Sequence, residues 1–281
     1  MPKPILLALL VFVLAASACR IDFAQSNTPA PEVTEEINIP IPDSESIHLT
    51  LEFGAGDLSL SPGAEGYLVR GTATYNLPAF KLEIETNAGD IVLRQGESRV
   101  SGLPNFENLK NEWALQLGNR SMALEIRAGA YQGRFDLGGV PLTSLDVSDG
   151  ASDVTLDFSA LNPEKMSLFT YKTGASNISL KNLANANFVS MVFESGAGNY
   201  KLDFNGELQR DASVVIRSGM SNLTLVIPAG CPATVRVNEG ISNVQFPETW
   251  SKNGTLYTQT GEGPALMVVI EMGAGNVQIL P

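Results

Sequence analysis

From residue 43 onward, apolar and polar residues alternate in short stretches. This is the period that turns one face of a β-strand toward a core. The alternation breaks and restarts at recurring small-residue corners, centred on Gly54, Asn87, Gly129, Gly150, Gly174, Gly196, Gly219, Gly240 and Gly273. Five and three places before each corner the residue is apolar, as in Leu49 and Leu51, Phe169 and Tyr171, or Val268 and Ile270. Four and six places after it the pattern resumes, as in Leu58 and Leu60, Ile178 and Leu180, or Val277 and Ile279. Only the Gly129 unit departs, with Gly133 at the fourth place. Between Gly129 and Gly240 the corners recur every 21 to 24 residues.

The two apolar sets have opposite parity. A straight strand would send the second set into solvent, so the corner must absorb one residue if both arms are to face one core. Gly and Asn tolerate positive φ and are expected to make that bend. The Ala that usually follows the Gly is expected to point inward, where the arms converge. The resulting unit, about 22 residues with two core-facing strands and a variable third side, predicts an all-β repeat fold. It fits a β-solenoid, single-stranded and β-helix-like; a row of hairpins on four-residue turns is the competing architecture. Coils stacked about 4.8 Å apart would align Asn177, Asn199, Asn222 and Asn243 in a column whose amides can hydrogen-bond along the stack.

The N-terminus reads differently. Lys3, the apolar run from Ile5 to Ala15, and Ala16-Ser17-Ala18 before Cys19 have the parts of a secretory signal. The apolar run is too short for a membrane-spanning helix, which needs about 20 residues. Small residues followed at once by Cys resemble the lipobox of bacterial lipoproteins, which implies a diacylated Cys19 as the mature N-terminus. Ala16 stands where that motif usually has Leu, and cleavage after Ala18 would instead release the chain. The expected organisation is a signal peptide at 1–18, a lipidated N-terminus and flexible Pro- and Glu-bearing tether at 19–42, an N-terminal β-repeat region at 43–140 and C-terminal solenoid repeats at 141–281. The expected location is extracytoplasmic, with the membrane engaged through the lipid anchor.

Asn111-Glu112-Trp113-Ala114-Leu115-Gln116-Leu117, then Ala123-Leu124-Glu125-Ile126, and the repeated Gly-Ala-Ser-Asp and Gly-Ala-Ser-Asn corners resemble the bacterial toast-rack family. The resemblance covers roughly residues 45 to 281. It implies β-repeat envelope proteins with a distinct N-terminal region, akin to adhesin-like proteins and to the C-terminal domains of cell-wall-stress response proteins. It implies no catalytic residue, and a role in envelope stress response follows from the kinship alone.

Composition narrows the chemistry. A net charge of −12 argues against nucleic acid as a partner; an envelope protein or a wall polymer is expected instead. With Cys19 lipidated only Cys231 remains, so no intrachain disulfide forms. A free Cys without a neighbouring cation or His is ordinarily a small buried hydrophobe. One histidine, His48, cannot build a two-His metal site. Asp57, Asp90 and Asp153 share the corner column and could in principle pair for hydrolysis, but Asn replaces them in equivalent units, which favours a turn role. Gly-Ala-Gly-Asp at 54–57 faintly resembles calcium-binding nonapeptides, yet the period is wrong and the ladder is mostly Asn. The chain is therefore read as non-enzymatic, with no cofactor and no metal. Two insertions interrupt the period, at 95–112 and 247–264. Trp250 and Tyr257 in the second are the candidate ligand loop, for a sugar or peptide, against the plainer alternative of capping the last coil.

Overall fold

The computed structural model describes residues 31–96, 109–238 and 243–281. These residues hold sixteen strands and no α-helix. In chain order the first six are β1 (Val33–Pro40), β2 (His48–Pro62), β3 (Tyr67–Tyr75), β4 (Leu82–Asn87), β5 (Asp90–Gln95) and β6 (Asn111–Leu117). There follow β7 (Met122–Asp136), β8 (Leu142–Asp157), β9 (Met166–Lys181), β10 (Phe188–Asp203) and β11 (Ala212–Val226). The last five are β12 (Ala233–Val237), β13 (Asn243–Gln245), β14 (Ser251–Asn253), β15 (Leu256–Gln259) and β16 (Leu266–Leu280).

The repeat is carried by β2, β7, β8, β9, β10, β11 and β16, which lie side by side in that order and pair in parallel. Each is one long strand running through its corner, where two separate strands per coil were expected. Register is kept across the bend: Ser195 stands beside Ser218, and past the glycines Ala197 stands beside Met220. The apolar places before and after the corner are both buried, so Phe193 and Leu202 of β10 enter the same core. The parity slip lies between the corner Gly and the next residue, both of which face outward. The expectation of an inward Ala is therefore corrected: Ala130, Ala151, Ala175, Ala197 and Ala274 are exposed, and Met220 in the same place is 66% exposed. The inward residues flank that pair, as Thr173 and Ser176 do in β9 or Ser218 and Ser221 in β11.

Positive φ falls on the second glycine of a Gly-Ala-Gly corner, as expected: Gly56, Gly198 and Gly275 have φ of 129°, 155° and 131°, whereas the first glycines, such as Gly174, Gly196 and Gly219, lie outside that region. The first glycines are selected by proximity. A Cβ on Gly174 would stand 2.3 Å from the carbonyl oxygen of Gly150, and one on Gly196 or Gly219 would stand 2.7 Å from the preceding corner's oxygen. Any side chain there would push the coils apart. Gly133, the one irregular apolar place, has a different cause: Tyr131 turns inward two places after its corner, and a Cβ on Gly133 would lie 2.9 Å from its ring. The third side of the coil consists of short returns that bury Phe158, Leu183, Ala186, Phe204 and Ile227.

The two ends depart from simple stacking. Asn87 is no corner: β4 and β5 form an antiparallel hairpin around Ala88-Gly89, with Asn87 opposite Asp90. β5 pairs with the first half of β2 and β6 with the second, so together they make the N-terminal coil. β6 continues antiparallel into β3 and β1. β1 takes residues 33–40 out of the expected tether; Ile37 and Ile39 alternate inward and anchor it. At the other end, β16 inserts between β11 and the pair β12 and β13. The insertion at 247–264 forms the β14–β15 hairpin that gives the chain length to return. No described helix is long and apolar enough to cross a membrane.

Candidate functional site

Three places after each corner the strands present a column of side chains on the outer face. Neighbour by neighbour it runs Glu112, Asp57, Gln132, Asp153, Asn177, Asn199, Asn222, Asn276, Asn243. The asparagines form a continuous hydrogen-bonded ladder. Asn199 Nδ2 donates to Asn177 Oδ1 at 3.0 Å, and Asn222 Nδ2 to Asn199 Oδ1 at 3.0 Å. Asn276 Nδ2 donates to Asn222 Oδ1 and Asn243 Nδ2 to Asn276 Oδ1, each at 2.9 Å. The column expected from Asn177, Asn199, Asn222 and Asn243 is thus present, with Asn276 interposed because β16 inserts there. Each interior amide uses one donor and one acceptor along the ladder and keeps one of each for solvent.

A second column, two places before the corner, runs Glu52, Arg127, Ser148, Lys172, Glu194, Arg217, Glu271, charged with alternating sign except where Ser148 interrupts it. Arg217 lies 3.0 Å from Glu194 on one side and 3.0 Å from Glu271 on the other, and Lys172 lies 3.6 Å from Glu194. Arg127 pairs with Glu52 at 2.8 Å further along. These exposed pairs stabilise little individually, but opposite charges on adjacent strands favour this register over a slipped one.

Inside the bend is a polar cluster that the alternation did not reveal. Asp149 accepts from Tyr171 Oη at 3.0 Å and from Tyr131 Oη at 3.3 Å, and also from the Thr173 hydroxyl. Thr173 Oγ1 lies 2.6 Å from Ser176 Oγ, which accepts from the Ser152 backbone N–H at 2.9 Å. Further along, Ser195 donates to Ser218 at 2.9 Å and Ser218 to Ser221 at 2.8 Å. Burial, with the Asp149 charge adding to it, pushes both Tyr131 and Tyr171 phenols up from their ordinary range. Both therefore stay protonated and donate to the carboxylate. The available signal was Thr, Ser and Asp recurring just before and two places after the corner; it required knowing which of them turn inward.

The sequence-derived candidates separate. Cys19 lies outside the described residues. Trp250 and Tyr257 are 4% and 3% exposed and belong to the core. The Tyr257 ring packs edge-on against Phe246 at 4.8 Å, with the Lys252 ammonium 5.3 Å from its centroid. Neither ring offers a free face for stacking, so the ligand-loop reading does not fit these side chains; they cover the end of the last coil. His48 sits 3.6 Å from Glu125 at the surface. Cys231 is partly buried, and that burial pushes its thiol up. Asp90 lies beside His48 at the start of β2, whereas Asp57 lies past the corner of the same strand. Asp57 and Asp153 do share a surface. They stand two strand steps apart, with Gln132 between, along a groove of about 500 Å³ at the N-terminal end of the column. Phe80, Leu109 and Asn111 form part of its lining. Among the described residues no group of three or more His, Cys, Asp or Glu is placed to hold a metal.

Comparison with known proteins adds a family. A family model described as the N-terminal domain of toast_rack matches residues 28–168. No curated protein matches the chain. Among solved structures, a "putative cell adhesion protein" from Clostridium sporogenes is 19% identical, with 90% of this chain and 99% of that one covered and a TM-score of 0.47. A "putative adhesin" from Bacteroides fragilis is 8% identical, covering 90% and 99%, with a TM-score of 0.37. A "putative lipid binding protein" from Parabacteroides distasonis is 10% identical, covering 88% and 96%, with a TM-score of 0.33. These scores are too low for the overlaps to bear on function.

Proposed function

The chain belongs to the toast-rack family, and from that premise we propose that it is a non-enzymatic cell-envelope lipoprotein whose β-repeat body serves as an interaction scaffold. Its partner is an envelope protein or a wall polymer, and Cys19 carries the anchor. The observation that supports this reading is the outer face of the seven-strand ladder. Its polar side chains repeat at strand spacing and hydrogen-bond or ion-pair mainly with one another. They form a long rigid surface in place of a convergent set of acid, base and nucleophile. Such a surface suits recognition by many small contacts.

Anchoring follows from the same reading. Two acyl chains on Cys19 hold the chain stably where one chain would bind only marginally. Metabolic labelling with an alkyne-bearing fatty acid is expected to mark the wild type and not Cys19→Ala. Equal labelling of both, or none in the wild type, rejects the anchor and leaves cleavage after Ala18. Cross-linked envelope fractions are expected to yield a recurrent partner or wall material with the wild type. Their consistent failure to do so counts against the scaffold.

A further inference from the structure

The geometry points to a binding site for a basic side chain of a partner polypeptide in the groove where the outer column turns acidic. The inference rests on the scaffold reading and names the chemistry that one part of the scaffold recognises.

The groove differs from the rest of the outer face in three respects. First, its charge is less balanced by the fold. In the column of Arg217, opposite signs alternate, and in the ladder of Asn199 each amide is neutral and bonded to its neighbours. At the N-terminal end, by contrast, Glu112 stands directly beside Asp57 on adjacent strands, and Asp153 follows two steps on. Like charges on adjacent strands repel. The nearby cation, Lys110, is held 3.1 Å from Glu112. Second, Phe80 and Leu109 add apolar side chains to the lining that Asp57 and Asp153 share. Third, Asn111 lines the groove, is 4% exposed, and keeps its side-chain oxygen without a hydrogen-bond partner. Its amide nitrogen is engaged with the Ala55 carbonyl, which sets the orientation of the side chain.

Together these features make a slot whose charged groups, Asp57 and Asp153, are both carboxylates, with apolar side chains beside them. Its volume of about 500 Å³ lies within the range of small-ligand pockets. The complementary group is a cation with several N–H donors on an apolar stem. An arginine or lysine side chain has that form: its methylenes cover Phe80 and Leu109 while its head reaches the carboxylates. A polypeptide source fits the flanking surface, where free amide donors and acceptors of the Asn ladder continue the groove at strand spacing and can meet a peptide backbone.

The test titrates the full-length chain, by calorimetry at low salt, with an acetylated and amidated tripeptide carrying a central arginine. Counterparts carry lysine, glutamine or glutamate at that place, and agmatine presents the guanidinium without a peptide. Saturable binding of the arginine peptide is expected, weaker binding of the lysine one, and none of the glutamine or glutamate ones. Asp57→Asn and Asp153→Asn should each weaken it about tenfold, the size of one charge-assisted hydrogen bond. Glu271→Gln, which removes the same charge elsewhere on the surface, should leave it unchanged. Equal affinity in the Asp57 and Asp153 variants, or equal binding of the glutamine peptide, overturns the proposal. Agmatine binding as tightly as the peptide overturns the polypeptide source. Envelope capture undiminished in the double variant would reject the groove while leaving the scaffold standing.

Discussion

A Cβ placed on Gly174 would lie 2.3 Å from the carbonyl oxygen of Gly150, the corner of the coil before it. Backbone meets backbone at that point, and the whole column of corner glycines follows from this contact. Gly174→Ala is expected to cost about 2–4 kcal/mol, in the range of overpacking and local strain. The corresponding distance at Gly150 is 3.1 Å, so Gly150→Ala should cost less. Urea denaturation of the two variants checks the order; equal costs would remove proximity as the reason for glycine.

The Asn ladder predicts a graded loss. Asn222→Ala breaks two side-chain hydrogen bonds, one donated to Asn199 and one accepted from Asn276, whereas Asn243→Ala breaks one at the end of the ladder. The side chains are exposed and their freed partners rehydrate, so about 1 kcal/mol is expected for Asn222 and about half that for Asn243. Chemical denaturation of the two variants and the wild type measures it. No difference among the three proteins would mean that the ladder is decorative.

Trp250 and Tyr257 cover the end of the last coil. Trp250→Ala should destabilise the fold by about 3–5 kcal/mol, the usual cost of removing a buried aromatic, visible as a lowered Tm. Binding of the arginine peptide at the Asp57 and Asp153 groove should be unaffected in whatever fraction remains folded. A variant of undiminished Tm would place the indole at the surface and revive the ligand-loop reading.

The buried phenols on Asp149 predict alkaline sensitivity. Burial and the carboxylate raise both phenols above their ordinary value near 10. The unfolded chain therefore loses these protons first as pH rises, and stability present below about pH 10 is lost above it. The slope is about 1.4 kcal/mol per pH unit for each phenol. Tyr131→Phe and Tyr171→Phe should each flatten the fall of stability between pH 10 and 11.5, measured by denaturant unfolding. An unchanged slope in the double variant would show that other groups govern alkaline unfolding.

How much of this was legible in the chain varies by element. The alternation around Phe169 and Ile178, with its change of parity at Gly174, was enough to place both arms on one core. It was also enough to align Asn177 with Asn199 and Asn222. The parity left open whether the pair at the slip faces inward or outward, and both residues face outward. Both Gly and Ala are small, and only the neighbouring coil decides. The groove was not legible, because Asp57, Phe80, Asn111 and Asp153 come from four separated segments joined only by strand pairing. Nor was the burial of Trp250, since an aromatic on an insertion serves equally well as a cap or as a contact.

By itself, then, the sequence determined the repeat, its period and the inward apolar faces, because alternation is a local property that each strand carries alone. Tertiary structure decided the rest. The glycines are set by the approach of backbone to backbone between coils. The order of the last strands is set by β16 taking the open edge of β11 before β12 and β13. The polar cluster on Asp149 and the acidic groove arise where residues far apart in the chain become neighbours. In each case the deciding energy lies between coils, and no single repeat contains it.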